Sequence, residues 1–277
     1  MIFLMFYFMS ALVRWNDMRA GNPGIDPMPK RFQILIGLLM LNMVLTSCAA
    51  MRPPEPLMAP LQAVVVTAAD WDATEGVLRG YERKSVEASW ECAIEERPVV
   101  VGRNGMAWGM GMHPFPLPEG PVKVEGDGRA PAGIFRLSAA FGYDAAVDAS
   151  WIRLPYHQAT SRLLCIDDVR SAYYNRIVDA SVVKADWQGC EQMLRPDDLY
   201  RFGIVVDHNM DPTEAGKGSC IFMHGWKGAS QGTAGCTAMA SNALRRLLQW
   251  LDPAGMPVLI QLPDSEYARL RIPWRLP

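Results

Sequence analysis

Apolar residues recur along the chain in short runs. Ala63-Val-Val-Val-Thr67, Pro98-Val-Val-Val101, Ile134-Phe-Arg-Leu137, Trp151-Ile-Arg-Leu154, Phe202-Gly-Ile-Val-Val206 and Cys220-Ile-Phe-Met223 are β-branched or aromatic and separated by turn residues. Each predicts a strand. Between Gly76 and Trp90 the pattern is mixed and suits a hairpin or a long meander. One segment has helical spacing instead: Ala243, Leu244, Leu247, Leu248 and Leu251 share a face, with Arg245, Arg246 and Gln249 off it. Ser241 is placed to cap that helix, and Pro253 and Gly255 stop it. Pro257-Val-Leu-Ile-Gln-Leu262 returns as a strand. The pattern predicts a mainly β body with a few short helices, in one domain over residues 62–270.

Composition narrows the class. The 277 residues carry 27 Lys plus Arg against 29 Asp plus Glu, and 50% are hydrophobic. That excludes a disordered or collagen-like chain. A net charge of -2 and a pI near 6.1 supply no basic surface for phosphate backbones, so no nucleic-acid partner is expected. The 23 glycines and 21 prolines favour short strands and turns.

The N-terminal region reads as addressing information. Met28-Pro-Lys-Arg precedes an apolar segment, Ile34 to Leu45, interrupted by Gly37 and Asn42, and Leu45-Thr-Ser-Cys48 follows. The segment is shorter than the roughly 20 residues that span a bilayer, and its cationic start suits a secretory signal over about 28–47. It resembles bacterial lipoprotein signals, which implies that Cys48 is diacylated and becomes the first mature residue. Acylation at two or more chains would anchor the protein stably to a membrane. By the same resemblance Ala49, where some lipoproteins carry an inner-membrane retention Asp, directs it to the outer membrane, facing the periplasm. Residues 1–27 read as an extension upstream of a start at Met28. Residues 1–47 hold four bases and two acids, so the remainder carries 23 bases against 27 acids. Residues 48–61 are proline-rich and are expected to form an extended tether without a packed core.

Five cysteines remain beyond Cys48: Cys92, Cys165, Cys190, Cys220 and Cys236. In an oxidising compartment an odd number leaves a reactive thiol, an intermolecular bridge, or simply buried small hydrophobes. With Cys236 set aside, three pairings of the others are possible, and Cys165 with Cys190 is the one expected here.

The densest chemistry lies in Ser219-Cys-Ile-Phe-Met-His-Gly-Trp-Lys-Gly-Ala-Ser-Gln-Gly-Thr-Ala-Gly-Cys-Thr-Ala-Met239. A strand leads into His224, a loop with Gly225, Gly228, Gly232 and Gly235 can fold back, and Cys236 closes it. Sulfur attacks as thiolate, and a neighbouring imidazolium would lower its pKa from near 8.5. Gly235 lets the backbone and the Cys236 N–H approach a carbonyl oxygen. The pattern points to an acyl-enzyme site with Cys236 as nucleophile, His224 as its activator and Gly235 at the oxyanion.

These residues resemble the YkuD-type L,D-transpeptidase catalytic domain, whose hallmark is His-Gly at a strand end followed by Ser or Thr, a variable residue and Gly-Cys. His224-Gly225 and Thr233-Ala234-Gly235-Cys236 fill those positions, Gly126-Asp-Gly-Arg-Ala-Pro-Ala-Gly-Ile-Phe135 is similar to the family's Thr-Pro-x-Gly-x-Phe region, and the likeness spans about residues 98–262. The resemblance implies a β-sandwich-like domain that transfers acyl groups on peptidoglycan stem peptides. The thiol would attack the carbonyl of an L-centre and release D-alanine, with no metal or organic cofactor. Substrate contacts would come from Gly225, Trp226, Thr233 and His208, though His208 equally suits orienting His224 or a hydrogen-bonded place in a loop, and Trp226 a place in the core. The chain departs from many members by Ala234 in place of a second His and Ala238 in place of an Arg, a subgroup with Thr-Ala-Gly-Cys-Thr-Ala being similar. Arg129, Lys227 and Arg103 are candidates for the missing cation.

Other readings of the same residues remain. Hydrolysis on the same scaffold and non-catalytic wall binding both fit. Cys220, His224 and Cys236 could ligate zinc, but three ligands without a Cys-x2-Cys pair fit poorly. His113 and His157, beside prolines, are expected at the surface or in turns, and Trp108 is expected in the core ahead of a sugar-binding role.

Overall fold

The computed structural model describes Leu57 and residues 59–113 and 119–277. The expected signal segment, Cys48 and most of the expected tether lie outside the described residues. Among the described residues no helix is long and apolar enough to cross a membrane. Residues 54–277 make up one compact unit.

The fold is mainly β. Its large sheet begins with β1 (Gln62–Ala68), β2 (Glu75–Glu82) and β3 (Glu91–Val100), an antiparallel meander in which Gly76–Trp90 supplies the hairpin that the mixed pattern suggests. β4 (Met106–Trp108) and the 13-residue β5 (Ala130–Gly142) follow, with β6 (Tyr156–Gln158) alongside β5. Three short strands, β7 (Leu163–Cys165), β8 (Ile177–Asp179) and β9 (Glu191–Gln192), form a separate small sheet. The chain then returns through β10 (Phe202–Val206), β11 (Phe222–Gly225), β12 (Thr237–Met239), helix α1 (Ser241–Trp250), β13 (Val258–Pro263) and helix α2 (Asp264–Leu270).

Strand order β10-β11-β12-β3-β2-β1-β13-β5, with β10 pairing back onto β5, closes eight strands into a ring. Closure removes the exposed edges that an open sheet would present. β1 shows why its residues form this element: all seven side chains are buried, as expected of a β-branched run covered on both faces. Helix α1 buries Leu244, Leu247 and Leu248 and packs against β10 and β11. Trp108 is 1% exposed beside Trp71 and Trp274, in the core.

Several expectations are corrected. Trp151–Leu154 is no strand: the chain turns through Ala145–Ile152, with Ala149 N–H donating to Ala145 O and Ile152 N–H to Ala149 O, and Trp151 meets Phe202 edge-on. Ser241 is the first helical residue and makes no cap, because Ala240 occupies the N-cap. Leu57, within the expected tether, is buried, and its carbonyl accepts from Arg83 Nη2. At the other end Trp274 and Leu276 are buried, so the packed body runs past residue 270. His113 is 3% exposed and stacks on Trp274, which removes it from the surface.

The disulfide joins Cys165 to Cys220, not Cys165 to Cys190. Strand pairing explains the difference. Cys165 lies opposite Glu191 across β7 and β9, and neighbouring residues of an extended chain point to opposite faces, which turns Cys190 away. Cys220, held at φ 54°, brings its sulfur across from the segment that enters β11. The bridge therefore ties the small sheet to the segment that enters β11. It closes a loop of 55 residues, for which chain entropy gives about 4 kcal/mol. The double variant C165A/C220A is expected to lose stability of that order in urea denaturation, and reductant is expected to lower the melting temperature of the natural protein but not of the variant.

Candidate active site

β11 and β12 run parallel, with Met223 opposite Thr237 and His224 opposite Ala238. Cys236 stands directly before β12, its Sγ against the Phe222 N–H that leads β11, and it and His224 both line one cleft of about 750 Å³. Gly235 makes the approach possible. Its φ is 155°, and a Cβ there would lie 3.2 Å from Arg129 O.

Each side chain is fixed by its neighbours. His224 Nδ1 donates to Gly225 O at 2.7 Å, which leaves Nε2 as the acceptor-side nitrogen. No hydrogen bond holds Nε2 among the described residues. Cys236 Sγ accepts from Phe222 N–H at 3.3 Å and lies 3.6 Å from Cys220 O, to which the thiol can donate. Thr233 Oγ1 accepts from Gly235 N–H at 3.0 Å and donates to Cys236 O at 2.6 Å. That small turn holds the nucleophile loop in shape.

Burial sets the protonation states. The Cys236 thiol is pushed up to about 12, chiefly by desolvation and next by the Glu191 charge. Desolvation likewise lowers His224 to about 4. At neutral pH the pair rests as thiol and neutral imidazole, not as the preformed thiolate and imidazolium that the motif alone suggests. His224 is thus suited to act as a general base when a carbonyl arrives.

The other expected site residues divide. Trp226 lines the cleft half-exposed. Gly225 and Thr233 also line it, but the Gly225 carbonyl is spent on His224 and the Thr233 hydroxyl on the loop, so both act as supports. His208 is fully buried, with Nδ1 accepting from Met110 N–H at 3.2 Å and Nε2 donating to Lys217 O at 2.9 Å. It lies outside the cleft lining and takes no part in substrate contact. Its role is to join β10 to the loops on either side.

Among the cations, Arg129 is spent on Asp72, Trp71 O and Met106 O. Arg103 and Lys227 do line the cleft, and so do Lys123 and Arg195, which have no motif to mark them. Lys123 is 4% exposed and pairs with Asp127 at 2.6 Å, and its Nζ would lie 3.9 Å from a Cβ built on Gly235. Tyr200 and Glu191 are likewise unannounced in sequence. Cys220, engaged in the disulfide, is unavailable to the zinc reading.

The family model of YkuD, the L,D-transpeptidase catalytic domain, matches residues 69–260. The chain belongs to that family, and its class of activity is L,D-transpeptidase-like, directed at peptidoglycan. Comparisons with curated proteins and with solved structures return no match.

Three buried histidines share one pH consequence. His113, His208 and His224 are each lowered from 6.5 to about 4, with desolvation the largest cause. The unfolded chain binds these protons near pH 6.5 and the native state only near pH 4, so stability is intact above 6.5 and falls between those values. The loss is expected to reach up to about 3 kcal/mol per histidine. Urea midpoints measured from pH 7 to pH 4 should drop steeply, and His208→Gln should flatten the drop.

Proposed function

We propose that the protein is a lipid-anchored, periplasmic cysteine acyltransferase acting on peptidoglycan stem peptides. The observation that carries the reading is that Cys236, directly before β12, and His224, on the parallel neighbour β11, line one cleft. Family membership supports the substrate class, and the cleft offers both signs of charge, Arg103, Lys123, Arg195 and Lys227 with Glu125 and Asp167, which suits a peptide bearing amines and carboxylates. The anchor rests on the Cys48 signal in sequence alone.

The chemistry follows from the resting states. The Cys236 proton passes to His224 Nε2 as sulfur attacks the carbonyl carbon after an L-centre. The carbonyl oxygen takes the negative charge. Because the Gly235 N–H is committed to Thr233, the loop's donor to that oxygen is the Cys236 N–H. The C–N bond then breaks, His224 returns its proton to the departing amine of D-alanine, and a thioester remains on Cys236. An amine from a neighbouring stem attacks the thioester, loses a proton to His224 and expels sulfur. Water in place of the amine gives hydrolysis on the same scaffold.

Incubation with muropeptides or a carbapenem, followed by mass spectrometry, tests this. The expected result is an adduct on Cys236 that Cys236→Ala abolishes and His224→Ala slows by about 100-fold or more. Crosslinked products would identify transfer, and trimmed stems would identify hydrolysis. Normal sacculus binding with neither an adduct nor altered muropeptides would leave a wall-binding lipoprotein. The low value for His224 also predicts that turnover stays level through neutral pH and is lost only towards pH 4, where His224 becomes protonated. Palmitate labelling that disappears in Cys48→Ser tests the anchor.

A further inference from the structure

The loop before β10 delivers Tyr200 to the cleft, 2% exposed. Its ring meets His224 edge-on at 5.0 Å and packs on Phe141 and Phe222. Its hydroxyl donates to Glu191 Oε1 on β9, and Tyr200 packs with Cys236 in one buried cluster, where its phenol lowers the thiol's pKa against the pull of burial. A phenol bonded to a carboxylate thus packs beside the thiol, while its ring meets the imidazole. Phenylalanine would serve the packing equally well. The hydroxyl must be accounted for by its polar contacts, because burying it without a use is costly.

Ionising a buried sulfur requires donors that can meet the new charge. Phe222 N–H supplies one. The Tyr200 O–H can supply another by rotating about its C–O bond, away from Glu191 and towards Sγ. Glu191 is not abandoned when this happens, since Arg195 Nη1 stands 3.6 Å from the same Oε1 and its guanidinium also lies over the Tyr200 ring, 5.0 Å from the centroid.

We propose that Tyr200 is a further catalytic residue of this site: its hydroxyl passes from Glu191 to Cys236 Sγ as the thiol ionises, stabilising the thiolate that attacks and the thiolate that later leaves. The inference rests on Cys236 as the nucleophile. The thiol proton still goes to His224, and Tyr200 keeps its own proton and changes only its acceptor, so the bonds made and broken remain those of acyl transfer. The charged or titratable groups around the pair are Glu191 on β9, Arg195 and Asp197 in the segment after it, His224 on β11 and Lys123 ahead of β5. Only Glu191 shares the hydroxyl.

The test is the rate of Cys236 alkylation by iodoacetamide at fixed pH, read on its own peptide by mass spectrometry so that Cys92 and Cys190 do not interfere. Tyr200→Phe keeps the ring and is expected to slow alkylation by about 10-fold or more. It should lower kcat on muropeptides with little change in KM and leave the acid limb near pH 4 in place. Glu191→Gln competes less for the hydroxyl and is expected to speed alkylation, and that gain should vanish in the double variant. A merely structural role would slow both single variants. An unchanged rate in Tyr200→Phe, or a Glu191→Gln gain that persists without the hydroxyl, overturns the inference. Should Tyr200→Phe fail to fold, Glu191→Gln decides alone, faster supporting the proposal and slower overturning it. A natural protein whose Cys236 alkylates but never acylates would sink the acyltransferase reading, whereas loss of the Tyr200 dependence of alkylation would sink the hydroxyl's hold on the thiolate alone.

Discussion

The site depends on the parallel pairing of two short strands. β11 and β12 are only four and three residues long, yet their register brings a sulfur and an imidazole to one cleft. Little in either strand could hold that register alone. It is imposed from outside: β10 pairs with β11, β3 pairs with β12, α1 covers β10 and β11, and Thr233 ties the loop to the carbonyl of Cys236. A slip of one residue in β11 would send His224 to the opposite face. The glycines of the connecting loop permit the close approach, and the surrounding sheet selects it.

Burial then shapes reactivity. Desolvation acts on both partners in the same sense, raising the thiol and lowering the imidazole, so both favour the uncharged pair. A thiol kept protonated in this way is protected from stray electrophiles and oxidants, whose usual target is the thiolate. In the proposed reaction the arriving carbonyl offers the attacked carbon and a developing oxyanion together, which makes proton transfer to His224 worthwhile at that moment.

Much of this was legible in the residues. Strand runs such as Ala63–Thr67 and Phe202–Val206 announced themselves because full burial selects unbroken β-branched and aromatic stretches. His224 and Cys236 stood out because strand, glycine loop and thiol are contiguous in the chain. What stayed hidden was assembled from distant segments. Tyr200, Glu191 and Lys123 come from three separate stretches and share no motif, so only tertiary packing reveals them. The Cys220 pairing was invisible for a related reason, since it depends on which way β9 faces and on a single residue at positive φ. Trp151–Leu154 has the composition of a strand, but its apolar side chains are buried from a turn. His208, flanked by a strand and polar residues, resembles a cleft residue in sequence, and both of its ring nitrogens are consumed by backbone groups.

The closed ring has an outcome for how the molecule comes into being. Its first strand, β1, is paired along its length with β13, so that Ala63 meets Val258 and Ala68 meets Pro263. Strands nearly two hundred positions apart in the chain must find each other before the circle is complete, and such distant partners make for slow assembly. Until the final strand has been synthesised, β1 and β5 each present an unsatisfied border, and a nascent chain in that condition is open to capture by chaperones.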